Sequence, residues 1–306
     1  MVKKTTIPVI LGPTASGKTE LAVKIGPQLN AEIISADSRQ IYKDLDIGTA
    51  KPTSEQRQIV RFHMIDFLPI TESYSAGQFA EDALPIIKDI LNRKKLPLVV
   101  GGSGLYIRAL FTPMFKSPRP DPELRARLDG LEQKYGIDHL YNELLRIDPA
   151  WAKKVGPRDR QRIKRGLEIY QLTGRKISDW IKEKVAAPYQ PYYIGIELPR
   201  KVLYQRINER FLRMIDQGLI GEVERLLRQG LSKKLNAFNT FGYKEIIAYL
   251  ENRLSLPAAI HLAQKNTRNY ARRQLTWFRK IKDVHWFPPA EDKIIQAIKN
   301  VVSIPI

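Results

Sequence analysis

The sequence predicts an α/β fold, a parallel β-sheet flanked by helices with an all-helical insertion. Three observations support this prediction. Short apolar runs alternate with helically spaced segments in the first third of the chain, and a glycine-rich loop follows the first run. A long, charged, helical stretch begins after a cluster of prolines. Such alternation is typical of a parallel sheet covered by helices.

The elements are predicted in chain order from hydrophobic periodicity. The predicted strands are Ile7–Leu11, Ala31–Ser35, Leu96–Val100 and Tyr192–Leu198. The first two helices are predicted over Thr19–Leu29 and Ser75–Leu91. The last strand rejoins the sheet after the insertion.

Prolines and glycines divide the rest of the chain. Four prolines between Pro113 and Pro122 predict a hinge, and Pro122–Ala187 has a helical pattern throughout. Arg200–Val284 is also predicted to be helical, with breaks at the positions Gly218, Gly230 and Asn236–Gly242. We therefore expect residues 1–115 to form the first part of the core, 116–191 the insertion, and 192–306 the second part with basic C-terminal helices.

Length and composition indicate a globular protein. The chain has 306 residues, of which 43% are hydrophobic and 27% charged, and it has no cysteine. The lack of cysteine excludes disulfides, thiolate metal sites and a cysteine nucleophile. The basic opening is followed by too short an apolar run for a signal peptide, and no stretch reaches the length of a membrane span. We expect a soluble, cytoplasmic protein with no membrane partner.

The positive charge is concentrated in the later part of the chain. Up to Leu110 there are 14 basic and 11 acidic residues, whereas the remainder contains 37 and 21, for an overall net charge of +19. This asymmetry indicates a polyanionic partner, with nucleic acid ahead of an anionic membrane.

Gly12–Thr19 matches the phosphate-binding pattern G-x-x-x-x-G-K-[ST] at every fixed position. It lies between a predicted strand and a predicted helix, which is the context that such a loop requires. Backbone N–H groups and the helix N-terminus would hold phosphate oxygens. Lys18 would reach the terminal phosphates, and the Thr19 hydroxyl would ligate Mg²⁺. The alternative is a plain glycine turn with a chance lysine.

Two polar residues follow the ends of neighbouring strands. Asp37 follows the second strand, and Ser103 follows the third. The third strand ends in glycines. An ATPase that transfers a phosphoryl group would have a metal-binding carboxylate at this place. Ligands gather beyond the carboxyl ends of parallel strands, so both residues should lie near the phosphate loop. Beside an anion, Asp37 would manage a metal or a proton, and its alternative role is a turn or a helix cap.

Two helical stretches carry patterned basic charge. In Pro157–Leu172, arginines 158, 162 and 165 form one stripe opposite an apolar face. His261–Lys282 has seven basic residues, no acidic residue and interleaved aromatics, and one stripe on it consists of Lys265, Arg268, Arg272, Arg279 and Lys282. Arginines beside aromatics suit phosphates and unstacked bases, although solvated helix faces would share the pattern.

These motifs together resemble the bacterial tRNA dimethylallyltransferase family, which prenylates N6 of adenosine 37 beside the anticodon. The resemblance extends from residue 12 to residue 279. The matching runs, in the order in which the family has them, are Gly12–Thr19, Asp37–Tyr42, Asp46–Pro52, His63–Asp66, Gly101–Tyr106, Asp159–Arg165, Gly242–Glu245 and Thr267–Arg279.

The resemblance implies a P-loop NTPase-like core, a helical insertion that grips the anticodon stem-loop, and a channel where dimethylallyl diphosphate meets a flipped-out adenine. The implied cofactor is Mg²⁺, held by Thr19. We expect a monomer that binds one tRNA.

The resemblance also implies roles for individual residues. The implied catalytic residues are Asp37, which takes the proton from the adenine amine, Ser103 and Lys18. The implied diphosphate-binding residues are Gly12, Pro13, Thr14, Ala15, Ser16, Gly17, Lys18, Thr19 and Arg210. The implied tRNA-binding residues are Asp37, Ser38, Arg39, Gln40, Ser103, Arg125, Gln161, Arg162, Ile163, Lys164, Arg165, Arg272, Arg273, Trp277 and Arg279.

The sequence departs from the family pattern in a few places. Ser103 replaces the more frequent threonine but keeps a hydroxyl. Phe62 replaces a histidine that is common before His63, which leaves His63 either a core residue or a functional one. Without cysteine, the zinc-finger extension of eukaryotic relatives is absent.

Two other classes of function remain open. A small-molecule kinase, or a prenyltransferase acting on free adenylate, would share the phosphate loop and Asp37 but would not need the two basic stripes. A non-catalytic RNA-binding protein would not need an intact Lys18, Thr19 and Asp37.

Overall fold

The structure is a computed structural model that describes residues 4–112, 115, 118–183 and 185–302. The chain divides into two compact units. One is formed by Met1–Phe111 and Pro188–Ile306, and the other by Thr112–Ala187. Both boundaries lie four residues before the positions expected from sequence. Part of the expected proline hinge, including Pro113, lies outside the described residues.

The larger unit contains a parallel sheet, as the sequence predicts, but it has six strands where four were expected. The strands are β1 (Thr6–Leu11), β2 (Ala31–Ala36), β3 (Phe62–His63), β4 (Leu96–Gly101), β5 (Gln190–Ile196) and β6 (Val284–Phe287). Their order across the sheet is β3-β2-β4-β1-β5-β6. The inner strands β1, β2 and β4 are apolar runs buried almost throughout, as expected when helices cover both faces.

The carboxyl ends of the central strands meet at one edge of this sheet. Leu11 of β1 lies opposite Gly101 of β4 and Gly195 of β5. Ala36 of β2 also lies opposite Gly101. The loops that follow these strands therefore emerge side by side, which is where open α/β sheets bind ligands.

In the described part of the larger unit, nine α-helices pack around this sheet or extend from it. They are α1 (Lys18–Ile25), α2 (Ser54–Ile59), α3 (Ala76–Asn92), α4 (Gly104–Phe111), α10 (Arg200–Asp216), α11 (Leu219–Arg228), α12 (Tyr243–Leu250), α13 (Leu256–Phe278) and α14 (Glu291–Lys299). The predicted first helix is shorter than expected because Gly26 and Pro27 end it.

The smaller unit is helical, as predicted for the insertion. Its helices are α5 (Pro122–Tyr135), α6 (Ile137–Ile147), α7 (Pro149–Val155), α8 (Arg160–Thr173) and α9 (Ile177–Lys182). They enclose a core of their own, which includes Leu128, Leu144 and Leu167. In the described part of the chain, no helix combines the length and the apolar character needed to span a bilayer.

Candidate active site

The loop between β1 and α1 has a backbone shape that only small residues allow. Gly17 has a φ of +90°, and Ala15 also has a positive φ, of 63°. A Cβ on Gly12 would lie 3.1 Å from the Ile196 carbonyl oxygen of the neighbouring strand. The loop thus passes close to β5 and then turns into the N-terminus of α1, where free N–H groups attract an anion.

Two cationic side chains lie at this loop. Lys18 Nζ donates to the Pro13 carbonyl oxygen at 2.6 Å, and Arg210 Nη2 of α10 donates to Thr14 Oγ1 at 2.5 Å. Burial lowers the pKa of Lys18 to about 7, with a smaller lowering by Arg210 that is opposed by Asp37. Burial also lowers the pKa of Arg210 from its usual value. Two desolvated cations at a helix N-terminus form a site for a di- or triphosphate.

Diphosphate binding should therefore take up a proton above neutral pH. Because the pKa of Lys18 is about 7 in the free protein, its amine is largely neutral at pH 8 and must recharge beside the anion. We expect calorimetric titration of inorganic diphosphate at pH 8, in two buffers of different ionisation enthalpy, to report this proton uptake. In Lys18→Met the proton uptake due to this amine should be absent, and only the uptake due to ionisation of the diphosphate itself should remain. Equal proton uptake by both proteins would contradict the assignment.

A residue that sequence reasoning did not single out holds the phosphate loop at Thr14. The buried side chain of Gln274 on α13 accepts from the Thr14 N–H at 2.9 Å and donates to the Gly102 carbonyl oxygen at 2.8 Å. It thereby links the phosphate loop to the end of β4. The sequence signal was only that Gln274 lies within the Thr267–Arg279 run of the family resemblance.

Loss of this link should weaken diphosphate binding. Gln274→Met keeps the volume but leaves the Thr14 N–H and the Gly102 carbonyl without partners, at about 1–3 kcal/mol for each unpaired group. Part of this cost should appear as a loss of about tenfold in diphosphate affinity, which corresponds to ~1.4 kcal/mol. Gln264→Met is the matched control, since Gln264 of the same helix bonds instead to the Asn208 carbonyl. Equal affinities of the two variants would argue against a role of Gln274.

Asp37 lies directly after β2, with one oxygen engaged and one free. Its Oδ1 accepts from the N–H groups of Arg39 at 2.8 Å and Gln40 at 3.4 Å, which closes a turn at the strand end. Within the described part of the chain, Oδ2 has no hydrogen-bond donor. The turn role is therefore confirmed for Oδ1, and it leaves Oδ2 available for the predicted proton-accepting role.

Ser103 lies behind this turn. Its Oγ accepts from the Ser38 N–H at 2.9 Å and donates to Ser38 Oγ at 3.2 Å. Burial raises the pKa of Tyr270 of α13 to about 12, and the Ser103 hydroxyl opposes this rise. Ser103 therefore fixes Ser38, which lines the cavity, but Ser103 is not itself among the cavity-lining residues.

The phosphate loop and the Asp37 turn open into one cavity of about 1300 Å³. Five arginines at its wall come from helices late in the chain or from the Asp37 turn. The wall includes Thr14, Lys18, Thr19, Asp37, Ser38, Arg39, Gln40, Arg206, Arg210, Arg213, Tyr270, Arg273 and Gln274. An anion and a second, uncharged reactant could thus meet between the loop and the free carboxylate oxygen.

Gln40 lines the cavity, but most of its side chain is buried. Its amide donates to the Thr49 and Ala50 carbonyls and accepts from Ser35, so its polar atoms already have partners within the protein. Arg39 also lies at the wall and donates to the Asn236 carbonyl at 2.8 Å.

A second residue missed from sequence supports the opposite wall. Glu222 of α11 accepts from the N–H groups of Asp46 at 3.1 Å, Ile47 at 2.9 Å and Gly48 at 3.4 Å, and the Tyr243 hydroxyl donates to it. This carboxylate therefore fixes the loop of the Asp46–Pro52 motif. No sequence signal near Glu222 indicated this contact.

The basic residues of α13 divide between two faces. Arg273 lines the cavity and lies 5.8 Å from the centre of the Tyr270 ring. Arg272 and Arg279 lie on the other side of the helix, where Arg279 pairs with Glu197 at 3.2 Å. Trp277 packs against Gly104, where an added Cβ would lie 2.4 Å from its ring, and stays 40% exposed.

The basic stripe of α8 is more fully paired than the sequence suggested. Arg162 pairs with Asp159 at 2.6 Å, and Lys164 pairs with Asp129 and Glu132 of α5 at 2.5 and 2.7 Å. The side chain of Ile163 is fully buried in the core of the helical unit, which corrects its expected place at a binding surface. Gln161 is exposed.

Two expected tRNA-binding arginines of this unit share a buried carboxylate. Arg125 Nε and Arg165 Nη1 contact Glu168 at 2.8 and 2.5 Å, and Glu168 is 1% exposed. Burial raises the pKa of Glu168, but the two arginines outweigh burial and hold it below its usual value. Both arginines therefore have a structural partner, whatever else they contact.

His63 also proves to have a structural partner. Its Nε2 lies 2.7 Å from Glu32 Oε2, and Glu32 also accepts from Arg93 and Lys95. Glu32 begins β2, at the end of the strand away from Asp37. Of the two roles left open by the sequence, the structure favours the core role.

The metal-binding potential of the site is limited to single oxygen ligands. Among the described residues, no group of three His, Cys, Asp or Glu side chains could hold an ion. Thr19 lies in the first turn of α1 and, like Asp37, lines the cavity. One or two oxygen ligands beside a phosphate site suit Mg²⁺, which keeps most of its waters and shares phosphate oxygens.

Comparison with known proteins identifies relatives over nearly the whole chain. The model of a family described as IPP transferase matches residues 40–281. A tRNA dimethylallyltransferase 1 of Syntrophotalea carbinolica is 45% identical over 93% of this chain and 91% of its own. A tRNA dimethylallyltransferase of Carboxydothermus hydrogenoformans is 43% identical over 96% of each chain.

Solved structures give the same result. A full-length tRNA isopentenylpyrophosphate transferase of Bacillus halodurans matches with a TM-score of 0.70 and 38% identity, over 97% of this chain and 95% of that one. A eukaryotic dimethylallyltransferase, described as acting on tRNA, matches with a TM-score of 0.80 and 27% identity, over 94% and 75%. The family model covers more than half of the chain, including α13, and the relatives cover more than nine-tenths of it. On this evidence the chain belongs to the IPP transferase family.

Proposed function

We propose that this chain transfers a dimethylallyl group from dimethylallyl diphosphate to N6 of adenosine 37 in tRNA and releases diphosphate. One observation supports this most strongly. The phosphate loop, with Lys18 and Arg210, and the free oxygen of Asp37 face the same cavity. The names of the relatives agree with this activity.

The leaving group is the part of the reaction that the loop serves. As the C–O bond of dimethylallyl diphosphate breaks, negative charge grows on the departing diphosphate. Lys18, Arg210 and the N–H groups at the start of α1 are fixed donors aimed at that charge, and such preorganised donors stabilise the transition state. Thr14 is held on both sides by Arg210 and Gln274, so its role is to keep the loop in shape.

The nucleophile is the adenine amine, which is weak and must lose a proton. As the bond from N6 to the allylic carbon forms, Asp37 Oδ2 accepts the proton from N6, because Oδ1 stays committed to the turn. Ser38 and Arg39, next to Asp37, orient the nucleotide. Ser103 keeps this turn in place through its bonds to Ser38.

Thr19 would hold Mg²⁺ together with phosphate oxygens, since the site offers few protein ligands and Mg²⁺ needs few. The ion would add positive charge next to the leaving diphosphate. No cysteine or histidine is needed for this chemistry.

The RNA must present its target base outside the stack. Extrusion of a base costs a few kcal/mol, and less from a single-stranded loop than from a duplex. Basic residues on α13 and in the helical unit would hold the anticodon stem-loop through its phosphates. The enzyme would act as a cytoplasmic monomer on one tRNA at a time.

The test uses an unmodified anticodon stem-loop RNA with dimethylallyl diphosphate and Mg²⁺. We expect mass spectrometry to find one added dimethylallyl group, and nucleoside digestion to locate it on N6 of the target adenosine. A stem-loop with inosine at that position lacks the amine and should remain unmodified. Equal transfer to free AMP would contradict the proposal and support a small-molecule prenyltransferase.

A further inference from the structure

A second cavity of about 640 Å³ lies on the same edge of the sheet as the active site. Its floor is formed where β5 and β6 end, since Glu197 follows β5 and Pro288 follows β6. The volume is in the range of sites for small ligands, about 300–1,000 Å³. The proposed chemistry leaves this cavity without a role.

The lining of this cavity combines aromatic surface with positive charge. Tyr204 and Trp286 provide aromatic walls, and Arg200, Arg272 and Arg279 surround them. Arg200 lies 5.0 Å from the centre of the Tyr204 ring. The single carboxylate among the lining residues, Glu197, pairs with Arg279 at 3.2 Å, which leaves an excess of two positive charges.

Helix α13 separates this cavity from the active site. Tyr270, Arg273 and Gln274 face the active-site cavity, whereas Arg272, Thr276 and Arg279 face the second one. At 100° per residue the two sets occupy opposite sides of the helix. Two members of the basic stripe recognised in the sequence, Arg272 and Arg279, line the second cavity. Part of the positive charge of α13 therefore faces this cavity and not the phosphate loop.

We propose that the second cavity binds one unstacked nucleotide, with its base against Tyr204 and Trp286 and its phosphate near Arg200 and Arg272. A planar base suits an aromatic wall, and a phosphate suits arginines next to it. Arg272 has no ion-pair partner among the residues that the structure describes. The nucleotide comes from the RNA that the active site modifies, and this source rests on the proposed function.

The position of the cavity fits this source. A strand of RNA that crosses α13 with its target nucleotide in the active-site cavity passes Arg273 and then Arg272, which are adjacent on the helix but face different cavities. A nucleotide near the target would therefore reach the second cavity. Each helix face would engage a different part of the same strand.

The test uses one variant that fills the cavity and one that removes an aromatic side chain from its wall. It measures RNA binding in the absence of prenyl transfer. Thr276→Trp fills it from the helix side, since the Thr276 hydroxyl bonds only to the Arg272 carbonyl one turn back among the described residues. Tyr204→Leu keeps apolar packing but removes an aromatic face. Leu262→Trp is the control, because Leu262 is exposed on the same helix and lines neither cavity.

Fluorescence anisotropy should show that Thr276→Trp and Tyr204→Leu bind an unmodified anticodon stem-loop about tenfold more weakly than wild type, as for the loss of one base–aromatic stack of ~1–3 kcal/mol. Leu262→Trp should bind like wild type. Inorganic diphosphate binding, measured by calorimetry, should be unchanged in all three variants. If both cavity variants bind the stem-loop with unchanged affinity, the nucleotide in this cavity does not come from the RNA.

A parallel titration with AMP separates the two sources. Saturation-transfer NMR that detects AMP binding lost in Thr276→Trp, without an effect on the stem-loop, would assign the cavity to free nucleotides. If neither AMP binding nor stem-loop affinity changes in the cavity variants, the proposal is wrong. Prenyl transfer is assayed separately with the same preparations, so absence of transfer would refute the proposed activity without deciding the use of this cavity.

Discussion

Asp37→Asn is expected to lower the rate of dimethylallyl transfer by about 10²–10⁴-fold, the usual contribution of a positioned acid or base. Asparagine keeps an oxygen for the N–H groups of Arg39 and Gln40, so the turn after β2 should remain intact. It cannot accept the proton from N6. The loss should appear in single-turnover rates at saturating substrates, with stem-loop affinity changed by less than a few fold.

The control for this variant is Asp44→Asn. Asp44 also lies on the chain after β2, has a positive φ of 63° that asparagine tolerates, and does not line the active-site cavity. Its transfer rate should match that of the wild type. A near-normal rate for Asp37→Asn would remove Asp37 from the chemistry and leave it as a turn residue.

Arg165→Met is expected to destabilise the helical unit by about 1–3 kcal/mol, because it removes one of the two cations of the buried Glu168 carboxylate while Arg125 remains. The measurement is hydrogen exchange, which should show faster opening of α5 and α8. The low pKa of Glu168 gives this unit a contribution to stability that is present above the ordinary glutamate pKa. That contribution is lost as the pH falls through the lowered value.

Removal of the carboxylate should reverse most of this effect. In Arg165→Met/Glu168→Met no buried charge remains unpaired, while Arg125 is 45% exposed and can be hydrated. We expect exchange protection of α5 and α8 to return close to that of the wild type. Unchanged protection in Arg165→Met would contradict the structural role and leave RNA contact as the function of this arginine.

Sequence reasoning predicted what depends on local patterns. Strands β1, β2 and β4 are short, mostly apolar runs, and the phosphate loop is a contiguous motif, so each could be recognised within a few residues. The strands β3 and β6 were missed because they have two and four residues at the sheet edges and are only partly buried. The helix α14 was missed as well.

Contacts between distant parts of the chain could not be predicted in this way. Gln274 reaches Thr14 across 260 positions, and Glu222 reaches the Asp46 loop across 176. Arg210 was assigned only through the family resemblance. The carboxylates that pair with Lys164 lie on a different helix, so a charge count along α8 alone overestimated its free positive charge.

The most direct test of the account is a crystal structure of Asp37→Asn with a non-hydrolysable dimethylallyl diphosphate analogue and an unmodified anticodon stem-loop. The variant should bind both partners but not react. We predict the diphosphate on the N–H groups of residues 15–19 beside Lys18, and the extruded adenine with its N6 within hydrogen-bond distance, ~3 Å, of the side chain at position 37. An adenine amine turned away from this side chain, or a diphosphate outside the loop, would contradict the account.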